Sequence, residues 1–199
     1  MTTPEWEERV ATAWATFDGR TDDENRALIE ELAAELPADS AVASFERACV
    51  LDSTARSDLA VPLYREALAR GLPVARRRRA VIQLASSLRN VGGAAESVEL
   101  LTAELESGSD ELDDAVRAFL ALALVDVGRE REAVSHALTA LARHLPRYSA
   151  RSPRMRSSSP RTAASPLRSA QRPRRRGQRR KDARGRLARP RAARRGRRR

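Results

Sequence analysis

The first 146 residues repeat a helical spacing of apolar positions. Apolar side chains recur three and four residues apart, and Gly and Pro fall between the periodic segments. The pattern predicts eight α-helices, at about 5–17, 24–36, 41–54, 58–70, 75–90, 94–106, 111–127 and 130–144. Pro37, Pro73 and Pro146 each follow a predicted helix, as expected of a residue that cannot continue one. The fold class is therefore all-α.

Three segments of this helical body are similar to one another, at spacings of 37 and then 36 residues. Each has a small residue inside its first helix, a leucine three positions later and a turn residue seven positions later. A second small residue follows twelve positions after the first. These positions hold Ala48, Leu51, Ala55 and Ala60, then Ala85, Leu88, Gly92 and Ser97, then Ala121, Leu124, Gly128 and Ala133. Small residues at a helix crossing allow two helices to pack closely, so each segment predicts an antiparallel hairpin.

This pattern resembles the tetratricopeptide repeat (TPR) family. The matching positions are the two small residues of each hairpin, the large residue at Tyr64 and Leu101, and the proline after the unit at Pro73 and Pro146. The chain departs from the pattern at Arg47, Glu104 and Ala137 and in its longer spacing. The resemblance implies a right-handed α-solenoid of antiparallel helical hairpins, with units at about 41–77, 78–113 and 114–146. Alanine-rich hairpins unrelated to this family are the alternative.

Residues 1–40 predict a further helical pair. Trp6, Val10 and Trp14 contribute to one apolar face, and Ile29 and Leu32 contribute to the other. We interpret this pair as a diverged repeat or as a cap on the N-terminal end of the repeats.

First helices line the concave surface in the TPR family, so the resemblance implies a partner groove in this chain. The candidate positions mix apolar and polar character, as a peptide groove should. They are Arg79, Ile82, Ser86, Arg89, Asn90, Ala118, Leu122 and Asp126. They do not reproduce a lysine and asparagine clamp for chaperone tails. The nearby run "ARRRRA" (75–80) predicts either a solvated face or a basic rim that could hold an acidic peptide.

The charge divides the chain into two parts. Residues 1–146 carry 16 Arg against 26 Asp and Glu, and residues 147–199 carry 22 Arg and Lys against one Asp, within a total of +11. The second part, called the basic tail below, consists largely of Arg, Pro, Ser, Ala and Gly, which predicts disorder. It is also consistent with an arm that binds nucleic-acid phosphates without sequence choice. A third interpretation is a shifted reading frame in GC-rich coding sequence.

The sequence offers no assembled catalytic site. His136 and His144 lie eight residues apart without a clustered third ligand, and "NVGGAAES" (90–97) predicts a turn rather than a phosphate loop. We therefore expect no enzyme activity, no cofactor and no metal. The single Cys49 excludes an internal disulfide and favours a reducing compartment, and the acidic start "MTTPEWEERV" does not resemble a secretory signal. These features predict a cytoplasmic protein.

The main functional prediction is a non-catalytic interaction module that binds a peptide or protein segment in a concave groove. The alternative is a nucleic-acid-associated protein whose basic tail supplies affinity while the repeats hold a protein partner. A repeat domain separated from an enzyme or a transcription factor is a third possibility. The sequence does not identify the partner.

Overall fold

The computed structural model describes residues 2–145, and Pro146 and the basic tail lie outside this range. The described residues form eight α-helices, and every end lies within two residues of its predicted position. The helices are α1 (Pro4–Ala15), α2 (Asp22–Ala34), α3 (Ala41–Ser53), α4 (Ser57–Ala69), α5 (Val74–Asn90), α6 (Ala94–Ser107), α7 (Asp113–Asp126) and α8 (Glu130–Ala142). A short 3₁₀ turn at Phe17–Gly19, between α1 and α2, was not predicted.

Side chains cap the N-terminal ends of α1, α2 and α3. Thr3 accepts a hydrogen bond from the N–H of Trp6 at the start of α1, and Ser40 does the same for Ala43 at the start of α3. Thr21 and Glu24 form a reciprocal capping box at the start of α2. Each cap satisfies amide groups that the first helical turn leaves without an intrahelical partner.

The three repeat hairpins turn in the same way. Ala55, Gly92 and Gly128 all adopt positive φ angles, of 59°, 88° and 73°. In each turn the next N–H donates to the carbonyl of the repeat leucine, at 2.8 Å for Arg56 to Leu51 and 2.7 Å for Gly93 to Leu88. This left-handed residue with its long backward bond is the usual C-terminal cap of a helix. The equivalent turns explain why the sequence spacing predicted the hairpins correctly.

The small residues of the repeats lie at the hairpin crossings. They are buried in all three units, and Ala48, Ala60, Ala85 and Ser97 are fully buried. Larger side chains fill the space between hairpins, including Tyr64 and Leu101 at equivalent positions. The core has two clusters. One joins α1 to α5 and the other joins α5 to α8, so α5 contributes to both.

Consecutive helices pack against each other along the whole described chain, as in a solenoid. In addition, α3 contacts α5 and α5 contacts α7, whereas no comparable contact joins α4 to α6 or α6 to α8. We call α1, α3, α5 and α7 the first helices and the others the second helices. Because α3, α5 and α7 approach one another more closely than α4, α6 and α8 do, the first helices of the repeats form the inner side of the solenoid.

Candidate protein-interaction groove

A row of polar contacts joins the first helices along the inner side. At its N-terminal end the Glu46 carboxylate of α3 accepts a hydrogen bond from the Trp14 indole of α1, at 2.9 Å. Arg76 of α5 donates to the same carboxylate at 3.2 Å, and to Glu7 of α1 at 2.5 and 3.1 Å. The hydrogen bond from Arg76 lowers the pKa of Glu7 below its usual value. These four side chains therefore connect α1, α3 and α5.

The row continues between α3 and α5. The Cys49 thiol donates to Gln83 at 3.2 Å, and the Asp52 carboxylate accepts hydrogen bonds from Ser87 at 2.7 Å and from Ser57 at 3.0 Å. Burial raises the pKa of the Cys49 thiol strongly, so it stays protonated at neutral pH. A protonated, buried thiol is a poor nucleophile, which agrees with a structural role for this cysteine.

Between α5 and α7 the row ends in an ion pair. Arg89 donates to Asp126 at 2.6 Å, and both residues are among the predicted groove positions. Asn90 donates to the Ser57 hydroxyl at 3.1 Å and so joins the end of α5 to the start of α4. These three predicted residues therefore hold neighbouring helices together, besides any contact they make with a partner.

The remaining predicted positions differ in accessibility. Arg79, Ala118 and Leu122 are exposed, Ser86 is half-buried, and Ile82 is buried in the core cluster shared by α5 and α7. Ile82 can therefore support the groove floor but offers little surface to a ligand. Of these five remaining positions, the exposed ones are Arg79 on α5 and Ala118 and Leu122 on α7.

The arginine run at 75–80 mainly serves the folded body. Arg76 takes part in the inner row, and Arg77 donates to both carboxylate oxygens of Glu104 at 3.0 Å. Arg78 is buried, and its guanidinium pairs with Asp110 and Asp113, each at 2.7 Å. The run is therefore neither a uniformly solvated face nor a continuous basic rim.

Arg79 is the exception within this run. Its guanidinium carbon lies 6.0 Å from the ring centroid of Phe45, which is within the range of a cation–π contact. No carboxylate among the described residues lies within 4 Å of its guanidinium nitrogens. Arg79 is thus a positive charge held on the inner side by an aromatic ring, with its hydrogen-bond donors open to solvent.

Sequence reasoning missed the residues that build the inner row. Glu7 and Glu46 were assigned no role, although Glu46 is buried on a largely apolar helix, and Trp14 and Arg76 were interpreted only as part of an apolar face and of a basic run. A charged residue between Phe45 and Arg47 at a buried register position was the available signal. The partners of Glu46 could not be found by spacing, because Trp14 and Arg76 lie 32 and 30 residues away along the chain.

Residues 2–145 contain no group of three His, Cys, Asp or Glu side chains arranged to hold a metal ion. None of the described helices is long and apolar enough to cross a membrane. The two histidines sit on α8 and just after it, and His144 lies 3.5 Å from Asp114.

Comparison with known families settles the nature of the repeats. The family model described as Tetratrico peptide repeat matches residues 41–156, which is more than half of the chain. The chain belongs to the tetratricopeptide repeat family. Repeat solenoids of this kind generally serve as non-enzymatic scaffolds for protein interactions, since stacking creates an extended surface without a closed pocket. The match includes all three repeat hairpins and leaves out α1 and α2.

Solved structures support the fold of this TPR protein. It is similar to a MamA protein structure, with a TM-score of 0.54 and 15% identity over 73% of this chain and 75% of that one. A MamA structure designated MSR-1 C2 gives a TM-score of 0.53 and 20% identity over 72% and 78%. At such low identity the similarity concerns the fold alone. A comparison with curated proteins finds no match.

Proposed function

We propose that this TPR protein is a non-catalytic scaffold that binds a segment of another protein along its first helices, in the cytoplasm. The family supports the general role, and the observation that carries the specific one is the environment of Arg79. Its charge is exposed on the inner side and lies over Phe45. A carboxylate of a partner could accept two hydrogen bonds from such a guanidinium.

Arg79 differs from Arg76 and Arg89, because those two arginines of the inner row are already paired with carboxylates. Glu46 is paired with Arg76, and Asp126 is paired with Arg89. Asp52 is satisfied by two serine hydroxyls. The carboxylates of the inner row are therefore already engaged. An incoming acidic side chain at Arg79 meets less repulsion than the net charge of −10 on residues 1–146 suggests.

The α7 part of the groove is apolar. Leu122 exposes 47% of its surface, and Ala118 lies one helical turn before it. Arg79 and these two residues project from neighbouring first helices. The partner segment that fits them carries an acidic side chain for α5 and an apolar side chain for α7. This combination predicts the composition of a ligand without naming the protein that supplies it.

Selection from a library of short random peptides displayed on phage tests the proposal. The full chain should enrich peptides that combine Asp or Glu with Leu, Ile, Val or Phe. Arg79→Ala should weaken the enriched peptides about tenfold or more, since a hydrogen bond to a charged group contributes roughly 1.5–3 kcal/mol. Arg131→Ala, an exposed arginine on a second helix, is the matched control and should change nothing. Enriched peptides that bind both variants equally would refute the assignment.

The alternative function depends on the basic tail, which lies outside the described residues. Its 22 basic residues against one acidic residue support non-specific binding to phosphates, and this remains a prediction from composition. The two functions are separable, because the peptide groove lies on α5 and α7 and the predicted phosphate contacts lie after residue 146.

A further inference from the structure

Exposed apolar side chains are concentrated at the C-terminal end of the described solenoid. Of the ten large hydrophobic residues that are exposed among residues 2–145, seven lie between Leu122 and Leu145, at the end of the last unit. None lies in α1, α2 or α3. Single exposed apolar residues are ordinary on protein surfaces, but a concentration at one end of a molecule indicates an interaction site.

The repeat itself shows which of these residues have lost a partner. Val61 on α4 and Val98 on α6 occupy equivalent positions and are only 8% and 7% exposed, because the next hairpin packs against them. Val134, the equivalent residue of α8, is 56% exposed. Similarly, Leu72 at the end of the first unit is 9% exposed, whereas the equivalent Leu145 is 38% exposed. Val134 and Leu145 are more exposed because they belong to the last described hairpin, against which no further described hairpin packs.

The exposed apolar residues of α8 form one stripe. Val134, Leu138 and Leu141 are spaced by four and three residues, which places them on one side of α8, and Leu145 is exposed just after the helix ends. Leu138 is equivalent to Arg65 of α4, and that residue reaches the following second helix by pairing with Glu96 at 2.6 Å. The stripe therefore points to where a further hairpin would stack. We call these four residues, together with the exposed Val125 of α7, the end face.

We propose that the end face binds the end face of a second copy of this chain, forming a two-fold symmetric dimer. A two-fold contact uses the same surface on both partners, so an apolar stripe can serve as its own complement. A head-to-tail contact would require an exposed apolar surface at the N-terminal end, and the described residues of α1 and α2 expose no large hydrophobic side chain. This inference is independent of the peptide groove.

The exposed area is consistent with a reversible dimer. With fully exposed leucine and valine residues offering on the order of 150–200 Å², the five residues of the end face expose on the order of 400 Å². A standard interface buries about 800 Å² per partner, of which a little more than half is apolar. The end face with its polar rim therefore approaches the size of a weak, reversible interface.

The basic tail is the competing occupant, since only Pro146 separates it from Leu145. Its sequence offers few residues that could replace a partner helix. Its sizeable apolar side chains are limited to Tyr148, Met155, Leu167 and Leu187. They are spread across 40 residues rich in Arg, Pro and Ser, so no helical stripe matches that of α8. A second copy supplies three such residues at helical spacing on α8, with Leu145 just after them.

Sedimentation velocity of the full chain over a range of concentrations tests the proposal. The unmodified chain should shift from monomer to twice that mass at micromolar concentration. Leu138→Glu and Leu141→Glu should each keep it monomeric at the concentrations where the parent dimerises. Leu59→Glu is the matched control, because Leu59 lies on second helix α4 and is 42% exposed, against 44% for Leu138. Circular dichroism confirms that each variant folds.

Several results would contradict a dimer formed through the end face. A full chain that stays monomeric throughout overturns the proposal, and so does a dimer that survives both end-face substitutions. If only a chain shortened after Tyr148 dimerises, the tail covers the end face and a second copy does not. Oxidation of a Leu141→Cys variant should trap a covalent dimer, whereas Leu59→Cys should not, because Leu59 lies outside the end face. The native Cys49 is buried and should not interfere. A loss of dimer in Leu59→Glu would also refute the assignment.

Discussion

Arg78 provides the sharpest test of how the repeats are held together. It lies on α5, its side chain is 9% exposed, and it bridges to the loop and helix that begin the last unit. Its guanidinium contacts Asp110 and Asp113 at 2.7 Å and Glu104 at 3.6 Å. The side chains of Glu104 and Asp113 are at least as buried as that of Arg78. We therefore expect Arg78→Met, which keeps the length of the side chain, to destabilise the junction of α5, α6 and α7.

The magnitude follows from what remains after the substitution. Removing one partner from a buried charge pair typically costs about 3–5 kcal/mol, since the other charge is left buried without compensation. Here Arg77 still donates to Glu104, and the Ser109 hydroxyl still donates to Asp113 at 2.6 Å. These remaining contacts place the expected loss near the lower end, at about 3 kcal/mol.

Arg77→Met is the matched control. Arg77 pairs with the same Glu104, but its side chain is 51% exposed. An exposed ion pair contributes about 0–1 kcal/mol, so this variant should lose little stability. Urea denaturation followed by far-UV circular dichroism measures both variants beside the parent. A loss in Arg78→Met no larger than that in Arg77→Met would refute the role assigned to the buried cluster.

The stability that this cluster contributes should also depend on pH. The Ser109 hydrogen bond, followed by contacts to Asp110 and Arg78, lowers the pKa of Asp113 below its usual value of 3.8. The folded state therefore favours the ionised carboxylate. The resulting contribution to the free energy of unfolding is fully present at pH values above the ordinary pKa of 3.8. It should be lost as the pH falls through the lowered pKa. A parent protein whose stability stays constant from neutral pH down to strong acid would contradict this.

Four further predictions concern the repeat packing and the basic tail. Ala85→Leu should cost about 1–3 kcal/mol, because Ala85 is fully buried at a helix crossing, and an unchanged melting temperature would contradict this. Ala55→Gly should stabilise the chain by about 0.5–1 kcal/mol, because φ is 59° at Ala55 and the equivalent turns use glycine. Urea denaturation measures this change, and a loss of stability would contradict the prediction. A chain ending at Tyr148 should keep its helical circular dichroism and melt cooperatively, and loss of most helix would show that the tail supplies structure. Any affinity of the full chain for nucleic acid should fall steeply with added salt, and an affinity independent of salt would exclude phosphate contacts by the tail.

The sequence predicted the parts of the fold that depend on local spacing. Small residues recur at Ala48, Ala85 and Ala121 because each hairpin needs a close crossing, and all three are buried. The turn positions were found for a related reason, since a residue with positive φ must follow each first helix. Local geometry repeats with the unit, so a single sequence contains three copies of the same evidence.

The contacts between units were not predictable in this way. Arg76 was interpreted as part of a basic run, yet it bridges Glu7 and Glu46 across three first helices. The pairing depends on the rotation between successive hairpins, which spacing along the chain does not specify. The same limit applies to Arg79, whose distinction from its neighbours arises only from its position over Phe45.

Mapping a bound peptide on the isotope-labelled chain by NMR tests the central claim most directly. A peptide enriched by the full chain is titrated in, and backbone amide shifts are followed. We expect the largest changes on the first helices α5 and α7, around Arg79, Ser86 and Leu122, and we expect Arg79→Ala to reduce them. Changes concentrated on the second helices α4 and α6 would contradict a groove on the inner side.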